Sequence, residues 1–233
     1  MLHERAAKGS RASGAVCYNP PLMPSRIPLL IAGLAALAGT AGCGREAAQA
    51  PRIWAADSLV DVPLEGPAEA TDLYDKGAGE VTLTGGGDQT VAFQVVLDCP
   101  DGATGLRLEW AALTPAGGGK PLPPTVLRAW RAMPLRIESY PAWMPTVRDV
   151  RPGPLLDPLV PLELLRAGID VPPGGRAVFW VDLAIPADAE PGAYRGTVRA
   201  VSGDTAPADL PVVLEVRDYL LTGPRPVTAV GGF

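Results

Sequence analysis

The chain carries one histidine, His3, at its extreme amino end. Any product that starts later has no imidazole, which excludes Ser-His-Asp and Cys-His nucleophilic sites and most zinc sites together. Carboxylates are plentiful, with Asp and Glu totalling 25, so chance pairings are common and spacing has to carry the argument. Asp72, Asp75 and Glu80 in TDLYDKGAGE hint at a calcium loop, yet they miss the EF-hand spacing, and glycines occur in any turn. Asp57 with Asp61, or Asp182 near Trp180, would act as glycosidase acid and nucleophile only if a cleft held their carboxyl groups about 5 to 9.5 Å apart. Nothing in the sequence sets that geometry. Cys99, at a strand end with no activating histidine, reads as a small half-buried hydrophobe. Gly85, Gly86 and Gly87 read as a hairpin turn, since no helix follows to make a phosphate site. The sequence therefore assigns no catalytic residue, no metal ligand and no cofactor.

Aromatic side chains are the more informative set, because flat sugar faces stack on exposed Trp and Tyr. Trp130, Tyr140 and Trp143 lie in or beside an irregular stretch, and Trp180 falls opposite an apolar stripe, so these four are the candidate carbohydrate contacts. The alternative is that Trp143 and Trp180 pack beneath the 140–175 segment or against another domain.

The elements that would position them are strands. In RAVFWVDLAIPADAEPGAYRGTVRAV, Arg176 to Val201, Phe179, Val181, Leu183 and Ile185 alternate with Trp180, Asp182 and Ala184, the period of two that puts one face in a core. Pro186, Pro191 and Gly192 then turn the chain. Tyr194 follows in the context of a tyrosine corner, where the phenol packs inward and its hydroxyl bonds backbone. Thr90 to Leu97 carries Val91, Phe93, Val95 and Leu97 on one face, Leu106, Leu108 and Trp110 alternate likewise, and Leu210, Val212, Leu214 and Val216 form a closing strand. Glu80 to Thr84 is a short strand, Thr125 to Arg131 and Leu135 to Ser139 read as a pair broken at Met133-Pro134, and 140–175 reads as irregular. The expected fold is all-β: an immunoglobulin-like or jelly-roll-type antiparallel sandwich of about eight to nine strands over residues 52–221.

Composition agrees, with 47% hydrophobic residues, 27 Gly and 27 Pro pointing to short strands between many turns. The formal charge is −5, and the one acidic and four basic side chains before residue 43 leave −8 on the remainder. No clustered basic run offers a nucleic-acid face.

Between Arg26 and Cys43 lies RIPLLIAGLAALAGTAGC, a basic residue, an apolar run, small residues and a cysteine. The run is shorter than the ~20 residues of a membrane-spanning helix and resembles a bacterial lipoprotein signal, with Cys43 the lipidated residue and the lipid as the sole membrane attachment. Thr40 stands where such signals carry leucine, and Ala48-Gln49-Ala50 offers a rival cleavage site, so ordinary secretion and an uncleaved anchor remain as alternatives. Translation is expected to begin at Met23. The segments are then 1–22, a mis-assigned extension; 23–43, the signal with its lipobox; 44–51, a tether; and 222–233, a linker. The expected location is the bacterial cell envelope. Cys43 and Cys99 then leave no internal disulfide.

VAFQVVL, the Asp157-Pro158-Leu159-Val160-Pro161 segment, VFWVDLAIPADAEPGAYRGTV and VVLEVRDYLL together resemble the amino-terminal β-sandwich of glycoside hydrolase family 123 and its bacterial relatives, from about Trp54 to Leu221. The resemblance implies a (β/α)8 barrel in cis beyond Phe233, with LTGPRPVTAVGGF leading to it. The acidic pair that acts on N-acetylgalactosaminides would lie in that barrel, with no counterpart here. Asp157 and Pro158 then read as a turn or interdomain loop. The expected role is a non-catalytic module that supports or positions the barrel; the alternative is a free-standing carbohydrate-binding surface lipoprotein, with glycans as partner.

Overall fold

Alternating apolar residues and proline placement together explain which strands lie inside the sheets and which lie at their edges. The computed structural model describes residues 49–67, 71–138, 153–203 and 205–221, all within one compact unit, Arg45–Phe233. The first sheet has five strands in the order β1 (Arg52–Asp57), β4 (Thr90–Cys99), β10 (Gly175–Ala184), β7 (Leu127–Ile137) and β8 (Gly153–Pro161). The second runs β2 (Tyr74–Asp75), β3 (Glu80–Gly87), β12 (Ala208–Leu220), β11 (Gly192–Val201), β5 (Ala103–Trp110) and β9 (Ile169–Val171), with β6 (Thr114–Pro115) also paired to β11. Two 3-10 turns, Pro124–Val126 and Leu162–Leu164, are the helical elements among the described residues.

The two sheets enclose one core. Phe93, Val95 and Leu97 of β4 and Phe179, Val181 and Leu183 of β10 meet Val81, Leu83, Leu106, Val198, Leu210, Val212 and Leu214 of the second sheet, all buried. The period-two pattern therefore reports correctly on β4, β5, β10 and β12. Between β10 and β11 the corner forms as a hydrogen-bonded unit: Tyr194 is 2% exposed and its hydroxyl donates to the Glu190 carbonyl at 3.0 Å. Gly192 enters β11 at φ 136°, a conformation that disfavours any residue with a Cβ.

Four features differ from the sequence reading. The sandwich has about twelve strands rather than eight to nine, because β2, β6 and β9 are only two or three residues long and carry no periodic signal. Pairing is antiparallel throughout except between β3 and β12, which run parallel with Val212 opposite Val81.

Gly85, Gly86 and Gly87 are not a turn but the buried end of β3, paired with β12. Glycine is needed there for close approach: a Cβ on Gly85 would lie 2.6 Å from Ile185 Cδ1, one on Gly86 would strike the Tyr219 ring, and one on Gly87 would lie 2.9 Å from Leu220. The chain turns instead at Asp88, φ 62°, and passes from the second sheet to the first, so β3 and β4 form no hairpin.

Proline placement explains the fourth difference. β7 runs unbroken through Met133-Pro134, because β10 pairs it only as far as Ala132 and a shift in register with β8 absorbs the proline. Its partner is the segment expected to be irregular. GPLLDPLVP forms β8, an edge strand, where a missing N–H can face solvent. Asp157 and Pro158 are thus exposed strand residues, not a loop.

The outer face of the first sheet is partly covered. After β1, residues 57–67 cross it: Gln94 Nε2 donates to the carbonyls of Asp57 and Val60, and Val62 packs on Ala56, Val96, Ala132 and Val178.

Candidate functional site

β1 and β2 are the edge strands of their respective sheets, and between them lies an open cleft of about 610 Å³. Register explains its walls. Arg52, Asp98 and Arg176 stand side by side across β1, β4 and β10 on the outer face, with Trp54 one pair along. Asp98 is fully engaged: Oδ1 accepts from Arg176 Nε at 2.6 Å and Oδ2 from Trp54 Nε1 at 3.1 Å. Arg176 also donates from Nη1 to the Pro63 carbonyl at 2.6 Å, and its guanidinium carbon lies 5.6 Å from the centre of the Trp54 ring. Such a stacked, charge-assisted cluster is rigid, since each group is fixed from two directions.

The opposite wall comes from β2 and the turn before it. Tyr74 lines the cleft half-buried, and burial, with Asp75 adding, raises its phenol pKa and keeps the hydroxyl protonated. Thr71 Oγ1 is buried and, among the described residues, makes no hydrogen bond. Lys76 and Arg52 are exposed, and neither has a carboxylate within ion-pair distance among the described residues. Among the described residues that line it, the cleft thus gathers three cations, Arg52, Lys76 and Arg176, against the single carboxylate of Asp98, in a chain whose formal charge is −5.

Trp130 and Trp180, two of the predicted aromatic contacts, are direct cross-strand neighbours on β7 and β10. They share the outer face with Trp54 and are half-buried, and Trp180 Nε1 donates to Asp182 Oδ1 at 2.8 Å. Tyr140, Trp143 and the predicted lipid site Cys43 lie outside the described residues. Trp54 was not singled out in the sequence, where RIWAAD gives only the faint alternation of an edge strand. Arg176, in sequence, is only the flank of an apolar stripe.

Of the six carboxylates considered as catalytic or metal-binding, Asp57, Asp75 and Asp182 are committed to local hydrogen bonds and Glu80 to an ion pair with Arg195. Asp75 Oδ1 accepts from the Gly77 and Ala78 N–H groups, Asp57 Oδ1 from Leu59 N–H, and Asp182 from Trp180. No cluster of metal-ligating side chains occurs among the described residues. Cys99 is buried, and desolvation, with Asp98 adding and Arg131 opposing, pushes its thiol up to about 11. Arg131 itself is buried, with Nη1 3.3 Å from the Val178 carbonyl and its charge over the Phe179 ring at 5.5 Å; burial lowers its pKa.

With this geometry in hand, the fold has a distant counterpart. The chain superposes on a family 123 glycoside hydrolase from Clostridium perfringens, whose structural analysis concerned glycolipid glycan hydrolysis, with a TM-score of 0.56 at 10% identity. The match covers 74% of this chain and 28% of that enzyme, so the chain spans little more than a quarter of its length. At that identity the likeness is one of fold. A PapD-like domain of human CEP192 overlaps over 60% of this chain and 82% of its own, at 11% identity and a TM-score of 0.29, too slight an overlap to bear on the architecture. No family model matches the sequence, and none of the curated proteins matches it.

Proposed function

We propose that the chain is a non-catalytic β-sandwich module of a bacterial cell-envelope glycoside-hydrolase-type protein, attached through lipid at Cys43, which supports or positions a carbohydrate-active (β/α)8 barrel. The observation that carries this reading is the superposition of the sandwich on less than a third of a family 123 glycoside hydrolase. Two further features support it. Asp57 and Asp182, two of the three carboxylates that sequence alone offered as an acid and nucleophile, are engaged in turn and indole hydrogen bonds. Met133, Leu135 and Leu159 of the β7–β8 ribbon, with Leu164 beyond it, are exposed, and apolar surface of this kind suits a docked neighbour.

Sequencing the gene past the Phe233 codon tests the interdomain role. An open frame of barrel length supports it, and an immediate stop overturns it. Turnover of a 4-nitrophenyl N-acetylgalactosaminide by this chain alone, abolished in a carboxylate variant, would overturn the non-catalytic part. A free-standing glycan-binding lipoprotein is the second reading, and the aromatic cleft between β1 and β2 is what favours it.

A further inference from the structure

The edge cleft is built unlike the rest of the surface. Its floor is an indole whose N–H is already spent on Asp98, so Trp54 offers a ligand carbon surface and not a hydrogen bond. Around it stand Arg52 and Lys76, which have no ion-pair partner among the described residues, the fixed guanidinium of Arg176 and the Tyr74 phenol. Excess positive charge in a concave part of an acidic chain concentrates anions there. We propose that this cleft binds an anionic sugar, one whose ring lies on Trp54 while its carboxylate or sulfate meets Arg52 and Lys76.

Several observations favour a sugar over a nucleotide. The cations come from three places, β1, β10 and the turn after β2, and the Asp98 carboxylate stands between two of them, where a phosphate chain would have to face it. The described residues include no helix whose N-terminus enters the cleft. One face of Trp54 already carries Arg176, and its N–H is tied, which leaves the geometry of a platform more than of a two-sided base slot. A volume of about 610 Å³ suits a mono- or disaccharide. The inference does not depend on whether a barrel follows: gene sequence decides that question, and binding decides this one.

The test is calorimetric titration of the full chain with D-glucuronate, D-glucose, acetate and AMP, alongside amide and indole NMR spectra that follow the Trp54 Nε1–H signal. Glucuronate is expected to bind about tenfold more tightly than glucose or acetate, to move the Trp54 signal, and to weaken with added salt. In the R52S/K76S double variant, both positions being exposed, its affinity falls about tenfold or more with the melting temperature unchanged. Acetate binding as tightly as glucuronate would reduce the site to a simple anion site and overturn the proposal. Glucose binding equally well would remove the role of charge, tighter AMP would make it a nucleotide site, and no saturable binding of glucuronate would remove the site altogether. Each of these overturns it, as does a double variant that binds like the wild type.

Discussion

Replacing Tyr194 by phenylalanine and, separately, by alanine divides the corner into its two parts. The ring is 2% exposed and belongs to the inter-sheet core, while the hydroxyl makes one hydrogen bond of 3.0 Å to the Glu190 carbonyl. Phenylalanine keeps the ring and removes only that bond. A buried hydrogen bond contributes about 0.5–1.5 kcal/mol net, rising toward about 3 kcal/mol when the partner is left dry. Glu190 is exposed, so water can reach its carbonyl, and the expected cost is about 1 kcal/mol. At about 2–4 °C per kcal/mol for a domain of this size, that is a small fall in Tm. Alanine instead leaves a ring-sized cavity and costs about 3–5 kcal/mol, several times more. Thermal and urea unfolding followed by far-ultraviolet circular dichroism read both variants. If phenylalanine is as damaging as alanine, the reasoning is refuted, because the corner would then depend on its hydroxyl and not on ring burial.

Gly86→Ala should cost about 1–3 kcal/mol in urea unfolding, since a Cβ there strikes the Tyr219 ring and lies 2.6 Å from the Tyr219 carbonyl. Adding Tyr219→Ala should recover only the ring's share, and full recovery would show that the backbone contact is immaterial. Cys99, with its pKa raised to about 11 by burial, should escape iodoacetamide in the folded chain at pH 8, as peptide mapping would show. Its folded value lies above the ordinary 9.0, so its contribution is whole below about pH 9 and lost as pH rises toward 11. The stability gap between wild type and Cys99→Ala should narrow over that window. Arg131→Met should match or exceed wild-type stability, because burial opposes the cation and no carboxylate pairs with it among the described residues. A loss above about 3 kcal/mol would mean that its bond to Val178 and its place over Phe179 outweigh desolvation.

What the sequence made legible was whatever alternates. Phe179 to Ile185, Val91 to Leu97 and Leu210 to Val216 each write a buried face directly into the order of residues, and the corner at Tyr194 is marked by local turn chemistry. What it hid is set by distant partners. Three successive glycines look like a turn until Tyr219 and Leu220 arrive to occupy the space above them. A proline-studded segment looks irregular until it becomes an edge, where the absent N–H groups are not missed. The cleft is hidden for the same reason. Arg52, Asp98 and Arg176 meet only through strand register, and neither spacing nor type reveals that Asp98 stands between two arginines. The candidate aromatics were sought where the chain looked irregular, while Trp54 lay in an edge strand too short to announce a face.

The parallel pairing of β3 with β12 sets a timetable for folding. Val81 finds Val212 only about 130 residues later, and at synthesis rates of ~5–20 residues per second the wait is roughly 7–25 s. Until then β3 has little more than the two-residue β2 beside it, and an unpaired apolar strand is a template for the wrong neighbour. Its sequence, EVTLTGGG, ends in a residue type with a weak tendency to zip into foreign sheets. The glycines that let Tyr219 and Leu220 close over the finished sheet therefore also keep the strand poorly adhesive for as long as it has to wait.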